Sequence, residues 1–307
     1  MPVQITEAPS TPKATYKALE VEGALDRLFY RKVGFLLAKF FAWLNITPSG
    51  VSLLGGVCGV IAGHLYYYRD LTTNMFGIAL HVCANALDNA DGQLARLLGT
   101  SSREGRVIDS LADHIVFASV YIHLAFRYFN QGTSPTVFLL ALVAGISHAL
   151  QGAATDYYRT SYLHFVTGKS VAALDCSQSL RSAYDRLRWT EQPWNKFLLA
   201  LYFNFMRQQE MLSPRLKTLR KTFNRFFPDG LPDGLKLRYQ ISAQPMLKLW
   251  GLLMTNTRML VLFVLLFTAQ PVWYFWFEIT LLNLLLACLI YRQENMARSL
   301  IALATAR

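Results

Sequence analysis

Between residues 88 and 113 the chain reads Asp88-x2-Asp91-Gly92-x2-Ala95-Arg96-x8-Gly105-x3-Asp109-x3-Asp113, a spaced set of carboxylates with a guanidinium, embedded between hydrophobic stretches of membrane-spanning character. On a helix Asp88 and Asp91 share one face, and so do Asp109 and Asp113. An ionised Asp near a bilayer midplane costs roughly 2.5–3.5 kcal/mol on insertion scales. Two like charges 4 Å apart repel by roughly 4 kcal/mol at an effective dielectric of about 20. Such a group of carboxylates stays ionised only around cations, and oxygen-only ligation suits Mg²⁺ or Mn²⁺, with Ca²⁺ able to occupy the same ligands. Gly92 and Ala95 remove side-chain bulk beside the carboxylate face, and Gly105 does the same at the start of the next helix, so a nucleotide can approach the backbone. Arg96 supplies a planar fork for a phosphate oxygen. Metal-held carboxylates, a phosphate-binding Arg and room for a flat ring point to metal-assisted displacement at phosphorus.

These residues must be positioned by membrane helices. The chain is 53% hydrophobic and only 16% charged, whereas a soluble domain carries about 25% charge. Apolar stretches of spanning length fall near 49–68, 72–93, 107–129, 135–157, 251–268 and 272–291, as a bilayer-crossing helix requires. The expected fold is an all-α integral membrane protein, a bundle of about six transmembrane helices with an N-terminal interfacial amphipathic helix. The turn Leu98-Gly99-Thr100-Ser101-Ser102 lets the two motif helices run antiparallel, so their carboxylate faces converge.

The net charge of +11 is crowded into residues 13–39, 96–106, 159–238 and the tail with Arg292, Arg298 and Arg307. The loops near 69–72, 130–134 and 269–271 are nearly free of Lys and Arg. The positive-inside rule then places both termini, the catalytic turn and the long basic segment in the cytoplasm, with a bacterial inner membrane as the expected location. The charge speaks for anionic lipid and excludes a nucleic-acid partner. Residues 1–20 are polar, with Pro2, Pro9 and Pro12, and read as a leader rather than a cleavable signal peptide. Cys58, Cys83, Cys176 and Cys288 show no metal spacing and are expected as small buried hydrophobes without a disulfide.

Four segments follow: 1–47, a leader and amphipathic helix; 48–159, the catalytic membrane core; 160–245, a basic cytoplasmic or interfacial insertion; and 246–307, the last two spans and tail. In the first, Leu25, Leu28, Phe29, Val33, Leu36, Leu37, Phe40 and Leu44 mark one helical face, either lying in the interface or packed on the bundle. Thr47-Pro48 supplies a helix start. The insertion holds the turns Pro228-Asp229-Gly230 and Pro232-Asp233-Gly234, and an apolar face of Trp194, Phe197, Leu198, Leu201, Tyr202 and Phe205. Ser147, His148, Gln151, Thr155 and Arg159 form a polar stripe on the fourth span, set either for interhelical hydrogen bonds or for the acceptor. Thr255, Asn256, Thr257 and Arg258 open the fifth span, where Arg258 meets a phosphate or snorkels. Gln151, Arg159 and Arg258 are the candidate acceptor or phosphate contacts. His64, His81 and His123 read as structural, His114 as packing or as support beside Asp113 rather than as catalytic, and Glu278 and Asn283 carry no assignment.

The pattern D-x2-D-G-x2-A-R-x8-G-x3-D-x3-D resembles the signature of the CDP-alcohol phosphotransferase (CDP-alcohol phosphatidyltransferase) family, class I, and every fixed letter agrees. The resemblance covers roughly residues 48–160. It implies an enzyme in which metals hold the pyrophosphate of a CDP-linked substrate, an acceptor hydroxyl attacks the phosphorus distal to cytidine, and CMP leaves. Carried over, it makes Asp88, Asp91 and Asp109 the principal metal ligands. Asp113 becomes the general base, also touching a metal, and Gly92, Ala95, Arg96 and Gly105 line the CDP site. It also implies a homodimer, and Gly55, Gly56, Gly59 and Gly63 offer a close-packing stripe that serves either a second copy or packing within the chain. Two versions differ in which partner is the lipid. In one, CDP-diacylglycerol donates to a small polar alcohol such as serine, glycerol phosphate or an inositol phosphate. In the other, as in choline/ethanolamine phosphotransferases, a soluble CDP-headgroup donates to diacylglycerol or a ceramide-like lipid. Leu98–Ser102 with Asp109–Asp113 looks like the family's phosphatidylserine synthases and favours the first, while the insertion departs from compact bacterial members. Outside the enzyme class stand a silent lipid-binding protein and an ion or proton transporter. A relay, however, needs neither Gly and Ala at those offsets nor the Arg.

Overall fold

The computed structural model describes residues 23–167, 177–228 and 230–306. The leader at 1–20, Cys176, Arg307 and the centre of the Pro228-Asp229-Gly230 turn lie outside the described residues. Among those described, the regular structure is entirely helical. In chain order a π-helical turn, Asp26–Tyr30, leads into α1 (Arg31–Trp43), α2 (Pro48–Leu65), α3 (Leu71–Leu97), α4 (Arg103–Phe129) and α5 (Thr136–Thr167). Then come α6 (Ser177–Arg186), α7 (Pro193–Leu212), α8 (Pro214–Phe226), α9 (Asp233–Gly251) and α10 (Thr255–Phe267). A short α11 (Trp273–Trp276) passes through a π-helical stretch, Phe277–Leu282, into α12 (Asn283–Thr305).

Five helical runs are long and apolar enough to cross a membrane: Pro48–Leu65, Glu104–Phe129, Thr136–Val166, Asp233–Phe267 and Trp273–Thr305. The sixth expected span is α3. Its 27 residues reach about 40 Å at 1.5 Å per residue, enough for a bilayer core. Its Asn74, His81, Asn85, Asp88, Asn89 and Asp91 lower its hydropathy. The expected segment boundaries at 159 and 245 fall within α5 and α9.

The chain divides into two compact units. The first runs to Ile146 and takes in Met259–Phe277; the second comprises Ser147–Arg258 and the chain from Glu278 onward. In the first, α2 packs on α3 and α4, and α1 on α3. The starts of α2, α3 and α4 are written locally. Thr47 caps α2 by accepting from Gly50 N at 3.2 Å, with Pro48 in the first turn. Asp70 caps α3 through Thr73 N at 2.8 Å, and Ser102 caps α4 through Gly105 N at 2.9 Å. Such caps satisfy amides that no helical carbonyl reaches. α3 ends at Gly99, φ +65°, with Thr100 N reaching Ala95 O at 2.9 Å, which closes the tight turn into α4.

The glycine stripe of α2 is used inside the chain. A Cβ at Gly59 would meet Val116 Cγ2 at 2.5 Å, and one at Gly63 would meet Ser119 Oγ at 2.6 Å and Val120 N at 2.9 Å. At Gly55 it would lie 3.3 Å from Leu87 Cβ. These glycines let α2 lie against α3 and α4. Around them Ala38, Phe41, Val51, Leu87, Ala90 and Leu94 form a buried cluster.

α1 uses two faces. Tyr30, Gly34, Phe35, Ala38 and Phe41 are buried, and Gln93 Nε2 donates to Arg31 O at 3.1 Å. The face read from the sequence, including Leu28, Leu36 and Phe40, is exposed, with Leu28 at 70%. Cys83 and Cys288 are exposed and Cys58 half-buried, all as free thiols, contrary to the burial expected of them. A bilayer accepts small apolar groups on an outer surface that water would disfavour.

In the second unit α8 and α9 pack on α12. The Glu294 carboxylate accepts from Arg215 N at 2.8 Å, Leu216 N at 3.2 Å and Tyr158 Oη at 3.2 Å, so α12 caps the start of α8. Gln209 Nε2 donates to Asp156 Oδ2 at 3.0 Å, tying α7 to α5. Glu210 accepts from Ser177 N at 3.0 Å, from Ser177 Oγ at 2.6 Å and from Lys217 Nζ at 2.5 Å.

Candidate metal centre

Asp88, Asp91 and Asp109 each place a carboxylate oxygen within 4.8 Å of the others. The three-residue spacing on α3 aims Asp88 and Asp91 the same way, and the Gly99 turn returns α4 antiparallel so that Asp109 faces them. Asp91 is buried, and Asp88 and Asp109 are half-buried. Asp109 shares a hydrogen bond with Asp88 and senses the charges of Asp88, Asp91 and Asp113. Carboxylate oxygens this close repel, so a proton or a cation must lie among them. An oxygen-only set at this spacing fits a hard divalent ion.

Ser52 is a residue that the motif does not contain. Its hydroxyl lies one turn into α2, within reach of Pro48 O at 3.1 Å, and hydrogen-bonds the Asp91 carboxylate at closer range. That contact fixes which way Asp91 points. The only signal in the sequence is a hydroxyl in an otherwise apolar stretch of helix, and it does not name the partner.

The other motif residues lie beside these carboxylates in the chain. A Cβ at Gly92 would lie 3.4 Å from Arg96 Nη1 and 3.5 Å from Nη2, so the missing side chain gives the guanidinium its seat. At Gly105 an added Cβ would meet only Ser102 Oγ, at 3.1 Å. Asp113 is exposed, one turn beyond Asp109, and stands outside the three-carboxylate group. His114 Nδ1 turns back to Ser110 O at 2.5 Å. His81 is buried against Phe117 and Phe263, with Tyr66 Oη 3.1 Å from Nδ1.

Gln151, Arg159 and Arg258 belong to the second unit. Arg258 is 1% exposed; it pairs with the fully buried Glu278 and donates through Nη2 to Gln151 Oε1 at 2.7 Å and to Leu253 O at 3.0 Å. Gln151 Nε2 in turn reaches Glu278 O at 3.0 Å and Asn283 Oδ1 at 2.8 Å. The guanidinium is therefore engaged by protein rather than snorkelling to water. It also serves the carbonyl that the break between α9 and α10 leaves without a helical partner. Ser147 joins through Asn283 Nδ2 at 2.9 Å, and His148 Nδ1 stands 4.0 Å from Glu278 Oε1. Arg159 is half-buried beside Met254 Sδ. Glu278 and Asn283, which carry no assignment from the sequence, are the partners of this network.

Comparison with known proteins bears on residues 45–171, which match the family model described as CDP-alcohol phosphatidyltransferase. Over 108 residues the chain is 33% identical to a phosphatidylinositol phosphate synthase of Streptomyces avermitilis, covering 34% of this chain and 43% of that protein. It is 34% identical over 89 residues to an archaetidylinositol phosphate synthase of Pyrococcus horikoshii, covering 29% and 46%. It is 38% identical over 74 residues to a CDP-diacylglycerol–serine O-phosphatidyltransferase of Mycobacterium leprae, covering 24% of each chain. The match thus spans less than half the length of each of these relatives.

Proposed function

We propose that this chain, a member of the CDP-alcohol phosphatidyltransferase family through its residues 45–171, moves a substituted phosphate from a CDP-alcohol to a hydroxyl acceptor and releases CMP. The observation that carries the reading is the convergence of Asp88, Asp91 and Asp109 within the complete motif. These three would hold Mg²⁺ or Mn²⁺, which when bound neutralises pyrophosphate charge and polarises the reacting phosphorus. Ser52 keeps Asp91 aimed at the other two carboxylates. Arg96, seated over Gly92, presents its fork to a phosphate oxygen, with Ala95 and Gly105 lining the CDP site. Asp113 takes the acceptor's proton; its exposure and its place outside the carboxylate group favour the base role over ligation.

The donor we favour is CDP-diacylglycerol and the acceptor a small polar alcohol such as serine. An inositol phosphate acceptor is the second reading, supported by the names of two of the relatives. Purified protein with Mn²⁺ and a panel of CDP-linked donors and acceptors should release CMP with one pair. Release with CDP-choline or CDP-ethanolamine and diacylglycerol alone would reverse the donor assignment, and release with none would overturn the function.

The site opens to the cytoplasm, because the turn at 96–106 carries Arg96, Arg103 and Arg106. A thiol introduced by Ser179→Cys should react with an impermeant reagent only from the cytoplasmic side, and one from Asn130→Cys only from the other. The opposite pattern reverses the orientation. The chain works as a homodimer, and since the α2 glycines are spent on α3 and α4, the dimer uses another surface. A fully active single chain in nanodiscs would remove it.

A further inference from the structure

We infer that the corner between α6 and α7 is a membrane anchor, seating the helices between two membrane-crossing runs on the anionic headgroup layer of the bilayer that those runs span. The corner is a built one. Lys196 Nζ donates to Leu187 O at 2.7 Å and sits 4.5 Å from the Tyr184 ring centroid and 5.7 Å from that of Trp189. Gln192 N closes on Arg188 O at 3.0 Å, and Asn195 Nδ2 on Gln192 Oε1 at 3.0 Å. The loop is thereby held in one shape, with its large aromatic rings turned outward. Trp189 is 51% exposed, Trp194 56% and Phe197 39%, with Trp194 and Phe197 paired at 5.9 Å.

Two half-exposed indoles and a phenyl ring on one corner are costly in water. Indoles favour the headgroup level, where the ring is shielded and its N–H keeps a partner. Arg186 and Arg188 are exposed beside them. The Arg188–Glu191 contact, 3.4 Å and open to solvent, does little to cancel that charge.

The surrounding charge and the chain path select the occupant. Residues 177–226 carry ten Lys and Arg against three acids, a surplus that an anionic leaflet attracts within a Debye length. The segment is tied at both ends to membrane-class helices, Thr136–Val166 before it and Asp233–Phe267 after it. A second copy would bring the same positive charge and be repelled. A soluble acidic partner would meet the cations but not the two indoles, and would compete with a bilayer already tethered alongside.

The test uses the full chain in nanodiscs with Cys58→Ser, Cys83→Ser, Cys176→Ser and Cys288→Ser, and a fluorophore on Thr190→Cys, which lies between the two indoles and is exposed. With phosphatidylglycerol in the disc, headgroup spin-labelled lipid should quench the probe more than aqueous iodide does. The preference should weaken in discs of phosphatidylcholine alone. Adding Trp189→Ala with Trp194→Ala should lower the lipid quenching by about twofold or more. Dominant iodide quenching means a solvent-facing corner and overturns the anchor. Quenching by neither agent means that protein covers the corner, which overturns the anchor as well. Equal quenching in both disc types overturns the anionic preference, and lipid quenching unchanged by the Trp substitutions overturns the role of the indoles. If the double variant is not monodisperse, Trp194→Ala alone takes its place.

Discussion

At the scale of single residues the proposed chemistry rests on carboxylates that share charge and on the Ser52 hydroxyl hydrogen-bonded to one of them. Asp91→Asn and Asp109→Asn each remove a charged ligand, so metal content and CMP release should fall together, read by elemental analysis and by turnover. Asp113→Asn should keep metal and nucleotide while turnover falls about 10²–10⁴-fold, the usual worth of a positioned base. An unchanged rate in Asp113→Asn would take the proton-transfer role away from it. Ser52→Ala leaves every ligand in place but frees Asp91 to rotate, and metal affinity should drop about 10–100-fold, as for other outer-shell partners. Equal affinity in a metal titration would make Ser52 a packing residue. The motif was readable because spacings of three and four fix a helical face. Ser52 was not, because it lies 39 residues from Asp91 in the chain, and only the crossing of α2 over α3 joins them.

At the scale of elements, the site holds its shape because α2 lies close against α3 and α4. Gly63→Ala puts a methyl 2.9 Å from Val120 N, a backbone atom that cannot swing aside. Overpacking of this kind costs about 1–3 kcal/mol. The midpoint of thermal unfolding in detergent should fall, and an unshifted midpoint would mean that α2 tilts freely. The α6–α8 segment responds to pH through Glu210. Burial alone would raise this carboxyl, but hydrogen bonds from Lys217 and Ser177 outweigh it and hold it below the ordinary carboxylate value. A depressed native value means that the unfolded chain takes up the proton first as pH falls. The stabilisation is therefore complete above the ordinary carboxylate range and is lost as pH drops through the folded value. Glu210→Gln should melt below the parent at neutral pH and converge with it in acid. A gap that stays constant with pH would show that the charge is not the source.

At the scale of the whole molecule, the second unit depends on a charge pair with no access to water. Arg258→Met strands Glu278 among apolar helices and should cost about 3–5 kcal/mol, whereas Arg258→Met with Glu278→Leu should be far milder, since a buried pair replaced whole is often near neutral. The two midpoints, measured side by side, decide it. Equal losses would show that neither charge is uncompensated in the single variant. The π-helical stretch at Phe277–Leu282 belongs to the same device, because it begins where Glu278 turns toward Arg258 and Gln151. Irregular helix of this sort gathers at sites where a side chain must be re-aimed.

The sequence by itself determined the helical class, the approximate spans and the shared helix faces of the motif carboxylates, because each is a local property: the period of a helix, the hydropathy of a window, the spacing of a motif. Caps such as Thr47 and Ser102 are local in the same way. Only the tertiary structure decided which partners those residues meet. It put the α2 glycines to work inside the chain, buried a second face of α1, set Ser52 against Asp91, and gave Arg258 to Glu278. The physical reason is common to all four. A helix face selects its neighbour by shape and charge complementarity with residues far along the chain, and neither quantity has a signature in any window of sequence.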